Sequence, residues 1–168
     1  NNEYMKAQME IFPEKKFYPD ANLTLRVSYG KAEGYEAKDA VHFNYFTTLD
    51  GVIEKYKPND EFYDAPQKLI DLYHQKNFGQ YADADGTLHT DFIASNHTSG
   101  GSSGSPVIDS NGNLIGINFD RCWEGTMSDL YFDPDQCRNI SVDIRYVLFI
   151  IDKYAGAGYL LSEMKIVQ

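Results

Sequence analysis

The segment of this sequence best suited to chemistry is a run of small residues, Thr98-Ser99-Gly100-Gly101-Ser102-Ser103-Gly104-Ser105-Pro106-Val107. A serine hydroxyl is a poor nucleophile. It needs a base within hydrogen-bond reach and donors for the oxyanion that forms. Backbone N–H groups can be those donors where no side chain crowds the approach, and glycines permit this. With Ser103 attacking, Gly101 and Ser103 would offer their amides. Gly104 and Ser105 keep the far side of the turn small, and Pro106 returns the chain to an extended conformation.

Other readings of the loop fit less well. A flexible Gly/Ser linker would not be bracketed by apolar strands on both sides. The elbow pattern Gly100-x-Ser102-x-Gly104 of the α/β-hydrolases requires a helix after the serine; Pro106 and the Asn111-Gly112 turn follow instead. A phosphate loop needs a Lys after the glycines, and there is none.

A triad also needs a base and an orienting acid. The four histidines are His42, His74, His89 and His97. His42 and His89 fall in strands and His74 on a helix face, where structural roles account for them. His97, six residues before Ser103, is either an exposed loop residue or a neighbour of a specificity pocket. The chain is therefore expected to carry a nucleophile without its base. Two cysteines, Cys122 and Cys137, make no zinc site by themselves. They are either free thiols or a bridge closing a compact loop of about 15 residues. Asp83-Ala84-Asp85-Gly86 resembles part of a calcium loop, but Ala94 stands where the twelfth-position Glu belongs, so a plain turn is expected. No metal and no cofactor is implied.

The elements that must position the serine loop follow from periodicity. Leu23, Leu25, Val27 and Tyr29 alternate with polar residues and predict a half-buried strand. Val41–Thr47 predicts another, followed by a turn at Asp50-Gly51 and a loop over 53–64. Pro66–Tyr73 suits a short helix, with Asp64 as its cap. Leu88–Ser95, Pro106–Asp109, Leu114–Phe119 and Ile140–Ile144 read as strands, with Asn111-Gly112 as a hairpin turn. Arg145–Tyr154 reads as a closing helix stopped by Gly156-Ala157-Gly158. Residues 1–17 form a weakly helical leading segment, with Met5, Met9 and Phe12 on one face, and 18–168 form the barrel-like unit. Many short strands joined by turns predict a closed antiparallel barrel or a sandwich.

Composition bounds the function. The chain has 168 residues, 42% hydrophobic, with a formal net charge of -10. That charge argues against a nucleic-acid partner. It also disfavours an acidic substrate unless a local positive charge receives it. No apolar run approaches the ~20 residues a membrane-spanning helix needs. Asn1 is not preceded by Met and opens no signal-peptide pattern, so an excised or processed chain is expected.

Gly101-Ser102-Ser103-Gly104-Ser105-Pro106-Val107 resembles the Gly-Asn/Asp-Ser-Gly-Gly/Ser-Pro signature of trypsin-like peptidases. More narrowly, Gly116-Ile117-Asn118-Phe119-Asp120-Arg121-Cys122-Trp123-Glu124 and Asp135-Gln136-Cys137-Arg138-Asn139-Ile140-Ser141 resemble the bacterial dipeptidyl-peptidase 7/11 family. The likeness runs from about Tyr18 to Met164, with Ser102 standing where relatives carry Asp or Asn. The resemblance implies a mainly β fold. This chain would be the second, nucleophile-bearing antiparallel barrel of a bilobal trypsin-like domain, with a short internal helix and a C-terminal helix. Ser103 would be the nucleophile, and the His and Asp would lie in a missing first barrel of the same parent chain.

Asn118 and Phe119 would belong to the strand that pairs with substrate, and Arg121 to a wall of the primary pocket. There its planar guanidinium would bind the carboxylate of an Asp or Glu before the scissile bond. Asp120 would orient Arg121 or meet a substrate amine. The implied activity is release of dipeptides from free N-termini in a periplasmic or exported enzyme, with this chain alone inactive. A Glu-specific endopeptidase and a non-catalytic peptide-binding domain are the alternatives.

Overall fold

The computed structural model describes residues 2–15, 17 and 23–167. The expected boundary between residues 17 and 18 falls at the edge of a gap in that set. The leading helix α1 (Asn2–Ile11) has no buried residue. Seven strands follow: β1 (Tyr35–Lys38), β2 (Val41–Phe43), β3 (Phe46–Thr48), β4 (His89–Ala94), β5 (Pro106–Ile108), β6 (Leu114–Arg121) and β7 (Asn139–Asp143). β1 and β2 form a hairpin by themselves. The other five make one antiparallel sheet in the order β3-β4-β7-β6-β5. Among the described residues the edge strands β3 and β5 are not paired to each other, so the sheet is open where a closed barrel was expected.

Three helices complete the fold: α2 (Leu49–Lys55), α3 (Gln67–His74) and α4 (Ile144–Phe149), which widens into a π-helical turn over Ile150–Tyr154. The principal apolar cluster lies on the helical side. Leu49 from α2, Leu69 and Leu72 from α3, Phe78, Tyr81, Leu88 and the fully buried Phe149 of α4 pack together. No helix among the described residues is long and apolar enough to cross a membrane.

Several elements differ from the periodic reading. The run Val41–Thr47 is split into β2 and β3, with a break at Asn44 and Tyr45. Asp50-Gly51 is not a turn but lies inside α2, because Leu49 is drawn into the core and its N–H bonds the Leu88 carbonyl. Pro66, not Asp64, caps α3. Leu23–Tyr29 is not a strand. Leu25, Val27 and Tyr29 are largely exposed, so the alternating apolar face has no cover among the described residues. The segment instead lies along the approach to the serine loop. Ser28 Oγ donates to the His97 carbonyl at 2.8 Å, and Asn96 Nδ2 donates to the Ser28 carbonyl at 3.1 Å. Gly30 permits the contact, since a Cβ there would meet the Asn96 backbone nitrogen at 2.6 Å.

β6 carries the irregularity on which the site depends. Asn118 pairs with Ser141, Asp120 with Ile140 and Arg121 with Asn139, so Phe119 is the extra residue of a β-bulge. Side chains alternate along a strand, and Asn139 and Ser141 therefore share a face. Their partners Arg121 and Asn118, three residues apart, share that face only because of the bulge. Asn139 Nδ2 bonds both Asn118 Oδ1 (2.9 Å) and Ser141 Oγ (3.2 Å), as this register requires.

The same register separates the cysteines. The Cys122 N–H donates to the Arg138 carbonyl at 2.9 Å, so Cys122 sits opposite Arg138, while Cys137 lies on the face of Asn139 and Arg121. Both are free thiols, and the bridge that the loop length allowed is not formed. Cys137 Sγ accepts the Asp133 N–H at 3.3 Å. Burial is the main cause that pushes the Cys122 thiol above its usual range. The Arg138 guanidinium, almost wholly buried, donates to the backbone carbonyls of Glu33, Gly34, Pro134 and Cys137 and so ties the β1 approach to the loop before β7.

Asp83-Ala84-Asp85-Gly86 is a plain turn whose carboxylates are used internally. Asp85 Oδ1 takes the Thr87 N–H and hydroxyl, and Asp83 Oδ2 takes Arg145 Nη1 at 2.8 Å. Arg145 also bonds Asp143 Oδ2 at 2.8 Å and His89 Nδ1 at 3.2 Å, while Asp143 caps α4 by accepting the Arg145 N–H. This cluster fastens the turn before β4 to the junction of β7 and α4.

Two outcomes test these packing statements. Arg145→Ala leaves the nearly buried Asp143 unpaired and should cost about 1–2 kcal/mol, less than a fully buried pair because Arg145 is partly exposed. Arg145, the main cause, holds Asp83 below the usual carboxylate range. Its contribution is therefore complete above roughly pH 4 and lost as pH falls through the lowered value. Thermal midpoints between pH 3 and 7 should show this acid limb in the parent sequence and not in the variant. Alkylation of denatured, non-reduced protein should modify both Cys122 and Cys137; recovery of a cross-linked 122–137 peptide pair would contradict the register.

Candidate active site

The serine loop closes between β4 and β5 and rests on β6. Gly101 and Gly104 have φ of 94° and 84°, conformations that L side chains rarely adopt. Gly104 N–H donates to the Asn118 carbonyl at 2.8 Å, and Asn118 N–H donates to the Ser105 carbonyl at 2.9 Å. The buried Asn118 side chain adds a third tie, donating from Nδ2 to the Ser102 carbonyl at 3.1 Å. Ser102 uses its hydroxyl to accept the Ser99 N–H at 3.3 Å. A short side chain thus still braces the loop, through one bond.

Ser103 is exposed at the tip, and its hydroxyl donates to the Phe119 carbonyl at 3.1 Å. The bulge residue therefore touches the candidate nucleophile through its backbone. Among the described residues, the amides of Gly101 and Ser103 have no hydrogen-bond partner. Two free N–H groups beside a serine hydroxyl are what an oxyanion site requires. The base is a different matter. Among the described residues Ser103 has no histidine partner. His42 bonds Glu36 across the β1–β2 hairpin, His89 stacks on Phe46 at 3.9 Å, and the exposed His74 ends α3. His97 Nε2 lies 3.1 Å from the Ser128 carbonyl, and its ring packs edge-on against Phe132.

His97 therefore borders a second feature, a tight pocket whose wall includes Asn96, Thr98, Arg121, Ser128, Phe132 and Asn139. Arg121 projects here because of the bulge. Its Nη1 and Nη2 donate to Asp129 Oδ1 and Oδ2 at 2.8 and 2.7 Å, and Nη1 also donates to Ser128 Oγ at 2.8 Å. Asp129, held below its usual carboxylate range chiefly by that pair, ends the 3-10 turn Trp123–Asp129. Asp120 lies outside the pocket; it is exposed, and its Oδ1 accepts the Arg121 N–H at 2.8 Å. Among the described residues Asn139 Oδ1 is buried with no partner. Such an orphan costs about 1–3 kcal/mol until a donor reaches it. Sequence reasoning placed Ser103, Gly101, Asn118, Phe119, Asp120 and Arg121 in this neighbourhood. It gave no role to Asn139, Ser128 or Ser141, whose types carry no signal until the β6–β7 register is known.

Comparison with known proteins shows what the chain is similar to. The family model described as Peptidase S46 matches residues 1–166. An Asp/Glu-specific dipeptidyl-peptidase of Flavobacterium psychrophilum is 60% identical over 164 residues, covering 98% of this chain and 23% of that protein. A dipeptidyl-peptidase 7 of Phocaeicola vulgatus is 47% identical, with the same coverage. A crystal structure of Porphyromonas endodontalis DPP11 in complex with the dipeptide Arg-Asp superposes with a TM-score of 0.90 at 46% identity, over 96% of this chain and 23% of its own. The chain thus spans about a quarter of the length of the relatives it matches. Because the family model takes in both the serine loop and the arginine pocket, with almost everything around them, this chain belongs to the peptidase S46 family.

Proposed function

We propose that this chain is the nucleophile-bearing part of a serine dipeptidyl-peptidase that releases dipeptides from peptide N-termini, cleaving after Asp or Glu. The observation that carries the reading is the β6 bulge. It puts the support of the serine loop, Asn118, and a pocket arginine, Arg121, on one face of the sheet. A nucleophile loop supported on the sheet face that carries the Arg121 guanidinium suits a peptide whose acidic side chain precedes the scissile bond.

In this reading the Ser103 hydroxyl leaves the Phe119 carbonyl, loses its proton to a base and forms a bond to the scissile carbonyl carbon. The negative charge passes to the carbonyl oxygen and is received by the Gly101 and Ser103 amides. The proton is returned to the leaving amine, and water then hydrolyses the acyl-enzyme. Arg121 holds the acidic side chain, Asp120 faces the substrate amine, and Asn118 with Phe119 keeps the loop and the substrate strand in register. The trypsin-like architecture belongs to the same proposal. A first barrel elsewhere in a protein of the relatives' length would complete the cleft and supply the His and Asp. The exposed aromatic groove that includes Tyr35, Phe43, Tyr45, Phe46, Phe119 and Trp123, about 400 Å³ in volume, supports a larger fold around this one. A periplasmic or exported location rests on the family resemblance alone.

Two experiments test the reading. The isolated chain should neither hydrolyse dipeptidyl substrates nor label at Ser103 with a fluorophosphonate probe, because loss of the base alone removes about 10²–10⁴-fold. Stoichiometric labelling would mean that one of its own histidines reaches the serine. In the full-length protein, Arg121→Gly should lower kcat/KM for substrates ending in Asp or Glu by roughly 10²-fold or more. Activity on substrates ending in Leu or Met should be kept or rise. An equal fall on all four would assign Arg121 to the fold and remove the acidic specificity.

A further inference from the structure

Arg121 is already occupied. Its two terminal nitrogens hold the two oxygens of Asp129 in the parallel, two-bond arrangement that an incoming Asp or Glu side chain would adopt. We propose that Asp129 is an internal mimic of the substrate's acidic side chain. It caps the pocket when no substrate is present and is exchanged for the substrate carboxylate on binding. The inference rests on the reading of Arg121 as the residue that receives the acid.

Four observations carry it. The first is the difference in burial within the pair. The Arg121 side chain is 22% exposed and that of Asp129 is 53% exposed. Arg121 belongs to the pocket wall, while Asp129 reaches it from the solvent side and can return to water at little desolvation cost. The second is placement. Asp129 is the last residue of the turn Trp123–Asp129, and the backbone on both sides of it is held. The neighbouring Ser128 is buried and is held by Arg121 through its hydroxyl and by His97 through its carbonyl, while the Leu130 and Tyr131 N–H groups both donate to the Met127 carbonyl at 2.9 Å. The carboxylate can therefore leave Arg121 by rotation of its own side chain, with the turn in place.

The third observation is space. The pocket behind Arg121 admits no water molecule, so an acidic side chain can meet the guanidinium only where Asp129 now stands, on its solvent side. The fourth is charge. Asp120, the residue before Arg121 in β6, already lies near the guanidinium that Asp129 holds. A substrate carboxylate added beside Asp129 would put two anions on one guanidinium. Exchange of one carboxylate for the other keeps the count unchanged. An apolar side chain offers nothing in return for breaking the pair, so the cap also adds to discrimination against such substrates.

The test uses the full-length enzyme with Asp129→Asn and Asp129→Ser, assayed on dipeptidyl substrates ending in Asp, Glu, Leu or Met. Acidic-dipeptide binding is measured by calorimetry in a Ser103→Ala background. Removing an exposed competitor worth one surface ion pair should lower KM for the Asp and Glu substrates, and the dissociation constant of the acidic dipeptide, by about 3- to 10-fold. The effect should lie in KM rather than kcat, and the ratio of acidic to apolar kcat/KM should rise. A higher KM confined to acidic substrates would make Asp129 a positioning residue for Arg121 and overturn the proposal. No change, or an equal loss on all substrates, would overturn it too. A crystal structure of the unaltered enzyme with an acidic dipeptide gives a check that needs no variant. The Asp129 carboxylate should have left Arg121, and retention of both bonds would refute the exchange. Arg121→Gly separates this inference from the one beneath it. If that variant loses acidic substrates selectively while the Asp129 variants gain nothing, only the cap is wrong.

Discussion

The buried amide of Asn118, next to the bulge at Phe119, is the constraint on which the site is built. Its backbone exchanges two hydrogen bonds with the serine loop, at Gly104 and Ser105, and its side chain makes a third to Ser102. Its oxygen is in turn held by Asn139 of β7. The loop has two glycines in left-handed conformations and no apolar anchor of its own, so its shape depends on this connection. The bulge adds the second half of the arrangement. Without the extra residue, strict alternation would turn Arg121 to the far face, away from Asn118 and the pocket.

The electrostatics follow the same economy. In a chain with a formal net charge of -10, each well-ordered arginine answers a particular cluster of acceptors. Arg145 joins Asp83 and Asp143 and closes the sheet against α4. Arg138 spends its donors on backbone carbonyls and becomes part of the scaffold. Arg121 differs in having its fork on a half-exposed carboxylate at the rim of a pocket. An arginine whose partner can be solvated is available for a ligand, whereas the other two are committed to the fold.

The surfaces divide in the same way. The helical side is a continuous core around Phe149 and Leu49. The groove beside β1, β3 and β4 is aromatic and open, and Leu23, Leu25, Val27 and Tyr29 stand out from the chain. A chain that spans 23% of its relatives' length has apolar faces that its own residues do not cover. The alternation over 23–29 was a true periodic signal, but burial depends on a neighbour, and no strand among the described residues lies over it.

The sequence by itself determined what local chemistry can determine. The glycine and serine spacing marked the nucleophile loop, Asn111-Gly112 marked the β5–β6 turn, and the run Arg145–Tyr154 ahead of Gly156 marked the closing helix. Each depends on a few adjacent residues and their intrinsic conformational preferences. The tertiary structure alone decided which faces those residues share. The bulge at Phe119 has no signature in composition, yet it brings Asn118 and Arg121 together and, through the same register, turns Cys122 away from Cys137. The helix at Asp50-Gly51 exists because Leu49 found a core, against a local preference for a turn. The ion pair of Arg121 with Asp129 joins residues eight apart through a 3-10 turn whose path is set by the strand before it. Pairing across strands is a long-range property, and a strand's own residues do not encode which partner, or which register, it will meet.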